Sequence, residues 1–316
     1  SDFAIDYETK GDRIVGVALA DDHYSWYICQ DGLKALPEIR HLLLNHTGRA
    51  IAHNAKYEYK ITTINSLNTL APTDIPLLYD TQVMNLVLTS QPGVNRLKPL
   101  VRKHLKRDCL DYDDVVPEGI DIDSVNPDLL ARYAAAGDAR NTYDLFQILE
   151  KKLHDESLWA VYNDIERPLT PILAEMELGG LYVDRKALEQ MVLDYTHKEE
   201  RLSAGLKYLG FKGNSRSGDQ VASWLYDELG LVKRKLTDSG NRGAVDAATL
   251  RWYDHPAVGV YMALQGCQKL LSTFLLPVLY AGLDRIPFAL QQTSTTTGRR
   301  TAGASGSATA AAGSTR

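Results

Sequence analysis

The stretch FAIDYETKGDRIVGVALADDHYSWYIC, residues 3–29, decides the fold. Apolar and polar residues alternate through FAID, RIVGVALA and YSWYIC, and the polar turns GD and DDH separate the three runs. A period of two marks half-buried strands, and short polar turns join antiparallel ones. The segment reads as a three-stranded antiparallel meander. Asp6 and Glu8 close the first strand two residues apart, so both side chains project from one face. Two adjacent carboxylates repel each other. Either this strand end is a solvated acidic patch or a cation sits between them, and hard divalent cations take oxygen ligands.

Further along, strands and helices alternate. LPEIRHLLLNH has helical spacing, RAIAHN (49–54) is a short apolar strand, and a helix is expected over Tyr57–Leu67. PLLYDT is another strand, with Asp80-Thr81 as a helix cap, and NRLKPLVRKHLKR (95–107) is a basic amphipathic helix. Residues 108–126 are acidic and irregular, and a long helix follows from Pro127. Such alternation predicts an α/β layer around a mixed sheet. From about residue 158 the pattern becomes helical, with DIERPLTPILAEMELGG ending at Gly179-Gly180 and a long helix capped by Asp184. The segments 217–230, 246–255 and 257–279 also read as helices, IPFALQQT as a strand, and TAGASGSATAAAGSTR (301–316) as a low-complexity, unfixed tail. The expected domains are 1–157, 158–300 and 301–316.

The chain has 316 residues, 44% hydrophobic and 24% charged, which excludes disordered and fibrous classes for its bulk. No run of about 18 apolar residues is evident, so no membrane contact is expected. The N-terminus lacks a basic segment followed by an apolar one, and it starts inside a strand, as if cut from a longer chain. Three scattered cysteines suit a reducing compartment, and a cytoplasmic setting (bacterial nucleoid or phage-infected host) is expected. A net charge of −5 speaks against broad phosphate binding unless an acidic site recruits metal.

Two more places carry candidate chemistry. AHNAKYEYK (52–60) sets Asn54, Lys56 and Glu58 where a strand gives way to a helix. YAAAGDARNTYDL (133–145) places Asp138 mid-helix, where aspartate is disfavoured by propensity, after a run of small residues that permits close packing. Each has an ordinary alternative: solvated charges at a helix start, and a solvent-facing aspartate.

Their order is more specific. D-x-E on the first strand, N-x-K-Y-acid, then Y-A-A-…-D-A-x-x-T resembles the three-motif pattern of DEDD 3′–5′ exonucleases, in particular the proofreading domain of family A DNA polymerases. The resemblance continues through IERPLTPILAEMELGGLYVD, through NSRSGDQVASWLYDELGL with Asn214, Ser215 and Gln220, through the thumb-like HPAVGVYMALQGCQKLLSTF with Lys269, and through QQTSTTTGRR with Thr297 and Arg299. It implies an RNase H-like fold followed by a helical thumb. It implies two divalent ions, Mg²⁺ or Mn²⁺, with Asp6, Glu8 and Asp138 on one and Asp6 and Glu58 serving the other. It makes Tyr133 the residue that orients the attacking water. Asn54, Lys56, Asn214, Ser215, Lys269, Thr297 and Arg299 become candidate DNA contacts, with Lys198, Arg201, Lys207, Lys212 and Arg216 as further duplex contacts. The implied partners are a single-stranded DNA 3′ end and primer-template DNA, bound by a monomer.

Two departures bear on activity. Glu58 stands where the family has Asp, and Tyr133 precedes Asp138 by five residues where the family has four. On an ideal helix five residues place two side chains about 140° apart, so Tyr133 needs a helical bulge to meet Asp138. The polymerase palm, fingers and H-D-E motifs are absent, so this chain alone is expected not to extend a primer. The basic residues Arg96 to Arg107 read first as a solvated helix face. Competing readings are a silenced module that only binds DNA, and a ribonuclease of the RNase D kind, which the thumb-like half disfavours.

Overall fold

The computed structural model describes residues 1–29, 36–66, 69–237, 240, 242–295 and, as backbone, 301–304. These form two compact units, one of residues 1–180 together with the strands near 288–304, the other Leu181–Ile286.

The first unit is built on five strands: β1 (Phe3–Lys10), β2 (Arg13–Ala20), β3 (Ser25–Ile28), β4 (Ala50–Ala52) and β5 (Tyr79–Asp80). Their order is β3-β2-β1-β4-β5. β1, β2 and β3 pair antiparallel, as the meander requires, whereas β4 and β5 run parallel to β1. Gly11, at φ 61°, supplies the left-handed residue of the tight β1–β2 turn. This mixed sheet with flanking helices is the RNase H-like arrangement that the resemblance implies.

Alternation along β1 sorts its side chains. Phe3, Ile5 and Tyr7 pack with Ile39 and Leu43 of α1 (Leu36–Asn45) and with Tyr59 and Ile61 of α2 (Ala55–Asn65). Ala4 lies on the other face, against α3 (Thr81–Thr89), α4 (Leu97–His104) and α7 (Arg140–Asp155) through Met84, Leu100, Phe146 and Leu149. Between α4 and α7 the chain forms α5 (Tyr112–Val115) and α6 (Pro127–Leu130), then a π-helical segment, Ala131–Ala139. Its small residues Ala134, Ala135 and Ala139 press onto Val15, Ala18 and Ala20 of β2. Large side chains here would hold helix and sheet apart.

The compact unit continues past the change of composition at 157. α8 (Arg167–Gly179) buries Ala174 in the same core as Phe3 and Tyr59. Its Glu177, with a side chain 2% exposed, takes ion pairs from Lys56 and Lys60 and accepts the Leu290 N–H.

The second unit is helical: α9 (Arg185–Tyr208), α10 (Gly218–Ala222), α11 (Ala247–Leu250), α12 (Pro256–Lys269) and α13 (Leu276–Ala281). Asp184 caps α9 by accepting the Ala187 N–H, and β6 (Leu181–Tyr182) pairs with β7 (Arg285–Ile286). Trp224, Tyr261 and Leu264 lie in its core.

Three expectations need correction. The helix expected over 246–255 is a four-residue turn, α11, capped by Asp246 and followed by Pro256, before which the backbone is extended. The tail does not begin at 301: β9 (Thr301–Ala304) pairs antiparallel with β8 (Phe288–Gln291), because backbone pairing is indifferent to small side chains. Pro256–Ala281, 26 residues with an 18-residue window of mean hydropathy 1.2, is long and apolar enough to cross a membrane by length and composition. Within the helical unit its Tyr261, Leu264, Cys267 and Leu271 are core residues.

Candidate active site

The site begins where the parallel strands end, which is where open sheets of this type bind ligands. β1 carries Asp6 and Glu8 on the face opposite Phe3, Ile5 and Tyr7, and a register shift between Glu8 and Thr9 marks a bulge at the acidic end. Past the end of β4, Asn54 adopts a left-handed conformation (φ 70°) and turns the chain into α2. Asp80 at the end of β5 fixes that turn. One carboxylate accepts the N–H groups of Asn54 and Ala55 from α2 and those of Gln82 and Val83 from α3. The cap expected at Asp80 therefore joins two helices rather than one. Glu58, one turn into α2, then falls beside Asp6.

The fourth carboxylate comes from the π-helix. In a π turn the hydrogen bond closes over five residues rather than four. This absorbs the extra residue between Tyr133 and Asp138, and sets the Tyr133 hydroxyl and the Asp138 carboxylate near enough for each to shift the other's pKa. The five-residue spacing that would turn the tyrosine away on an ideal helix here brings it to the aspartate.

The electrostatics are those of crowded anions. Glu8 and Glu58 are buried. Desolvation, then the charges of Glu8 and Asp138, push Asp6 well above the usual carboxylate range. Desolvation and Asp138 raise Glu8 to about 7, and desolvation raises Asp138 to about 6 against the opposing pulls of Lys98 and Tyr133. Glu58 is also raised strongly, by burial and by Asp6. Its Oε2 is buried with no hydrogen-bond partner. Among the described residues no three His, Cys, Asp or Glu side chains are drawn together closely enough to hold a metal ion. The donor set still fits hard cations: four mutually repelling carboxylates, one with an orphaned oxygen, and no imidazole or thiol among them.

Replacing one of these carboxyls by an amide removes the cost of holding it against its ordinary titration. In EDTA at pH 8, Glu58→Gln is expected to raise the melting temperature by several degrees, roughly 1–3 kcal/mol of stability. Above its ordinary pKa of 4.5 the unfolded chain has released a proton that buried Glu58 retains, so rising pH weakens the native state and the substitution abolishes that loss. Thermal unfolding of the metal-free proteins checks it, and an unchanged or lowered melting temperature contradicts it.

A second buried group runs the opposite way. His53, whose Nδ1 lies 2.8 Å from the Thr81 Oγ1, is pushed by desolvation from 6.5 down to about 4. Between those values the unfolded chain binds the proton that the native state refuses, so stability falls as pH drops from 6.5 towards 4, by about 3 kcal/mol at most. Urea midpoints over this window are expected to fall more steeply for the natural chain than for His53→Gln. Parallel curves would contradict it.

The other candidate residues are placed as follows. Lys56 gives its ammonium to Glu177 at 2.6 Å and to the Leu290 carbonyl, the ion-pair alternative to a phosphate contact. Asn54 contributes its backbone turn. In the helical unit the Asn214 Oδ1 accepts the Arg216 N–H, and the Ser215 Oγ accepts from the Gln268 amide at 3.3 Å. Lys269 lines an open groove with Arg216, Arg251, Gln265, Gln268 and Ser272. Thr297 and Arg299 lie outside the described residues. One site residue escaped the reading of the sequence. Lys98, counted there within a solvated basic face, turns inward. Its side chain is 17% exposed, its Nζ stands 4.8 Å from the centre of the Tyr133 ring, and its charge acts on both Glu8 and Asp138. The signal available was its place one residue after Leu97, before the buried Leu100 and Val101.

Comparison with known proteins gives this geometry a context. Residues 1–154 match the family described as 3′–5′ exonuclease, in its DNA polymerase A form. The chain is 31% identical over 210 residues to a DNA polymerase I of Rhizobium leguminosarum, covering 65% of this chain and 20% of the relative. It is 30% identical over 261 residues to the DNA polymerase I of Pseudomonas aeruginosa, covering 79% and 26%. With the DNA polymerase I of Borreliella burgdorferi the identity is 26% over 265 residues, covering 82% and 28%. The chain thus spans between 20% and 28% of the length of these relatives. Its fold is shared with the POL domain of Pol1 from M. smegmatis, solved with DNA primer-template and dNTP, at a TM-score of 0.70 and 22% identity over 95% of this chain and 50% of that one. Residues 1–154 are therefore a 3′–5′ exonuclease region of the DNA polymerase I type.

Proposed function

We propose that this chain removes nucleotides one at a time from the 3′ end of single-stranded or frayed DNA, as the proofreading part of a family A DNA polymerase. The observation that supports the reading is the mutual repulsion of Asp6 with Glu8, Asp138 and Glu58, with Tyr133 beside Asp138, at the end of β1. Asp6, Glu8 and Asp138 would hold one divalent cation, and Asp6 with Glu58 a second. Bound there, such ions supply a nucleophilic hydroxide and stabilise the leaving 3′ oxygen. The chain's own contribution is orientation. The Asp80 clamp fixes α2 and hence Glu58; the π turn sets Tyr133 beside Asp138, where its hydroxyl would align an attacking water. The helical unit, with Arg216, Arg251 and Lys269 along one groove, would contact a DNA backbone. Support for this assignment comes from the thumb-like resemblance and from the structural neighbour, a POL domain in complex with DNA primer-template.

The test is digestion of 5′-labelled single-stranded DNA with Mg²⁺ or Mn²⁺. A ladder shortening by single nucleotides, abolished by EDTA, supports the reading. DNA bound but not degraded would favour a silenced module, and RNA degraded faster than DNA would favour the ribonuclease.

A further inference from the structure

We propose that Lys98 is a positioning residue of this site: its ammonium, held over the Tyr133 ring and against Asp111, is the resident counter-cation of the Glu8–Asp138 side of the cluster and shares that side with a divalent ion. The proposal rests on the exonuclease reading for its effect on catalysis, but its effect on metal binding is independent of that reading.

The geometry sets Lys98 apart from its neighbours on the same helix. Arg96, Arg102 and Lys103 are exposed. Lys98 packs its stem inward, with Nζ 3.5 Å from an Asp111 carboxylate oxygen on one side and 4.8 Å from the Tyr133 ring centre on the other. An ammonium over a ring face is attracted by the ring's negative centre, most strongly where water is scarce. That contact is made to the tyrosine that stands beside Asp138, so the cation and the carboxylate share one ring as neighbour. Its charge also reaches Glu8 and Asp138 directly, offsetting part of the repulsion within the cluster. Lys98 stands in the first turn of α4 (Leu97–His104). Arg102, one turn later, also approaches Asp111, at 3.8 Å, but its side chain is 49% exposed. It supplies an internal control of like charge on the same helix.

A counter-cation and a divalent ion at one cluster oppose each other, and this gives the test its sign. Metal-stripped natural chain, Lys98→Met, Lys98→Arg and Arg102→Met are titrated with Mn²⁺ by calorimetry, and each is then assayed on labelled single-stranded DNA. Lys98→Met is expected to bind Mn²⁺ about 3–10-fold more tightly, since a like charge has been removed at short range. It is also expected to lower kcat about 10-fold, with a smaller change in KM, because Tyr133 loses its orienting contact. Lys98→Arg keeps the charge and is expected to stay within about twofold of the natural chain in both measurements. Arg102→Met is expected to change neither. Lys98→Gln, which retains a polar end, replaces the Met variant if that one fails to fold. Unchanged or weaker Mn²⁺ binding on loss of the Lys98 charge overturns the proposal, as does an equal tightening in Arg102→Met. A natural chain that binds Mn²⁺ but digests no DNA defeats the exonuclease reading instead, and leaves the Mn²⁺ shift to decide the role of Lys98.

Discussion

Asp6→Asn is expected to reduce 3′–5′ digestion by at least about 10³-fold while leaving the protein folded. Asparagine matches aspartate in shape, so packing around β1 should survive. The change removes the carboxylate that interacts with the other three of the cluster: Glu8 and Asp138 raise its pKa, and it in turn raises that of Glu58. Asp6 is therefore the hub through which two cation positions would be joined, and losing it takes a ligand from both. Relief of the repulsion should make the metal-free Asp6→Asn protein more stable than the natural chain, not less. Activity and melting temperature are thus expected to move in opposite directions. Single-turnover digestion in Mg²⁺, beside thermal unfolding in EDTA, measures both. Residual activity within about tenfold of the natural chain would show that the cluster is not where hydrolysis occurs.

Tyr133→Phe is expected to slow digestion by about 10–100-fold with Mn²⁺ binding little altered, in the range lost when a positioned hydrogen-bonding group is removed. The ring stays, so its packing against Val15, Ala18 and Leu130 and its contact with Lys98 are kept; only the hydroxyl beside Asp138 is lost. The result bears on the π-helix itself. If the π turn restores the tyrosine to its working place, the Phe variant must be slow. If digestion is unaffected, the extra residue between Tyr133 and Asp138 has displaced the tyrosine from the chemistry, and the π turn is a packing feature only. Released mononucleotide, measured under single-turnover conditions at saturating Mn²⁺, separates the two.

The sequence alone determined the α/β character of the first half, because the short apolar runs FAID, RIVGVALA and YSWYIC, bounded by polar turns, read as strands joined by hairpins. It also determined which carboxylates to consider. Asp6 and Glu8 share a face in any strand, and the order of the three motifs tied them to Glu58 and Asp138. What no local pattern could decide was whether those groups meet. Asp80 lies 22 residues after Glu58 in the chain, yet it fixes the start of α2 through hydrogen bonds to Asn54 and Ala55. Tyr133 reaches Asp138 only because the helix takes a π turn, which no residue in YAAAGDA dictates by propensity. Lys98 carries only a weak signal in the sequence, its place beside Leu97, and its inward course depends on the ring that it finds there. The extent of the first unit likewise depends on Glu177, which gathers Lys56, Lys60 and the Leu290 backbone from places far apart in the chain. Periodicity and residue type are local and so can be read along the chain. Convergence of like charges, a shifted helical turn and a buried ion pair are bargains among distant segments, struck only when the core has closed around them.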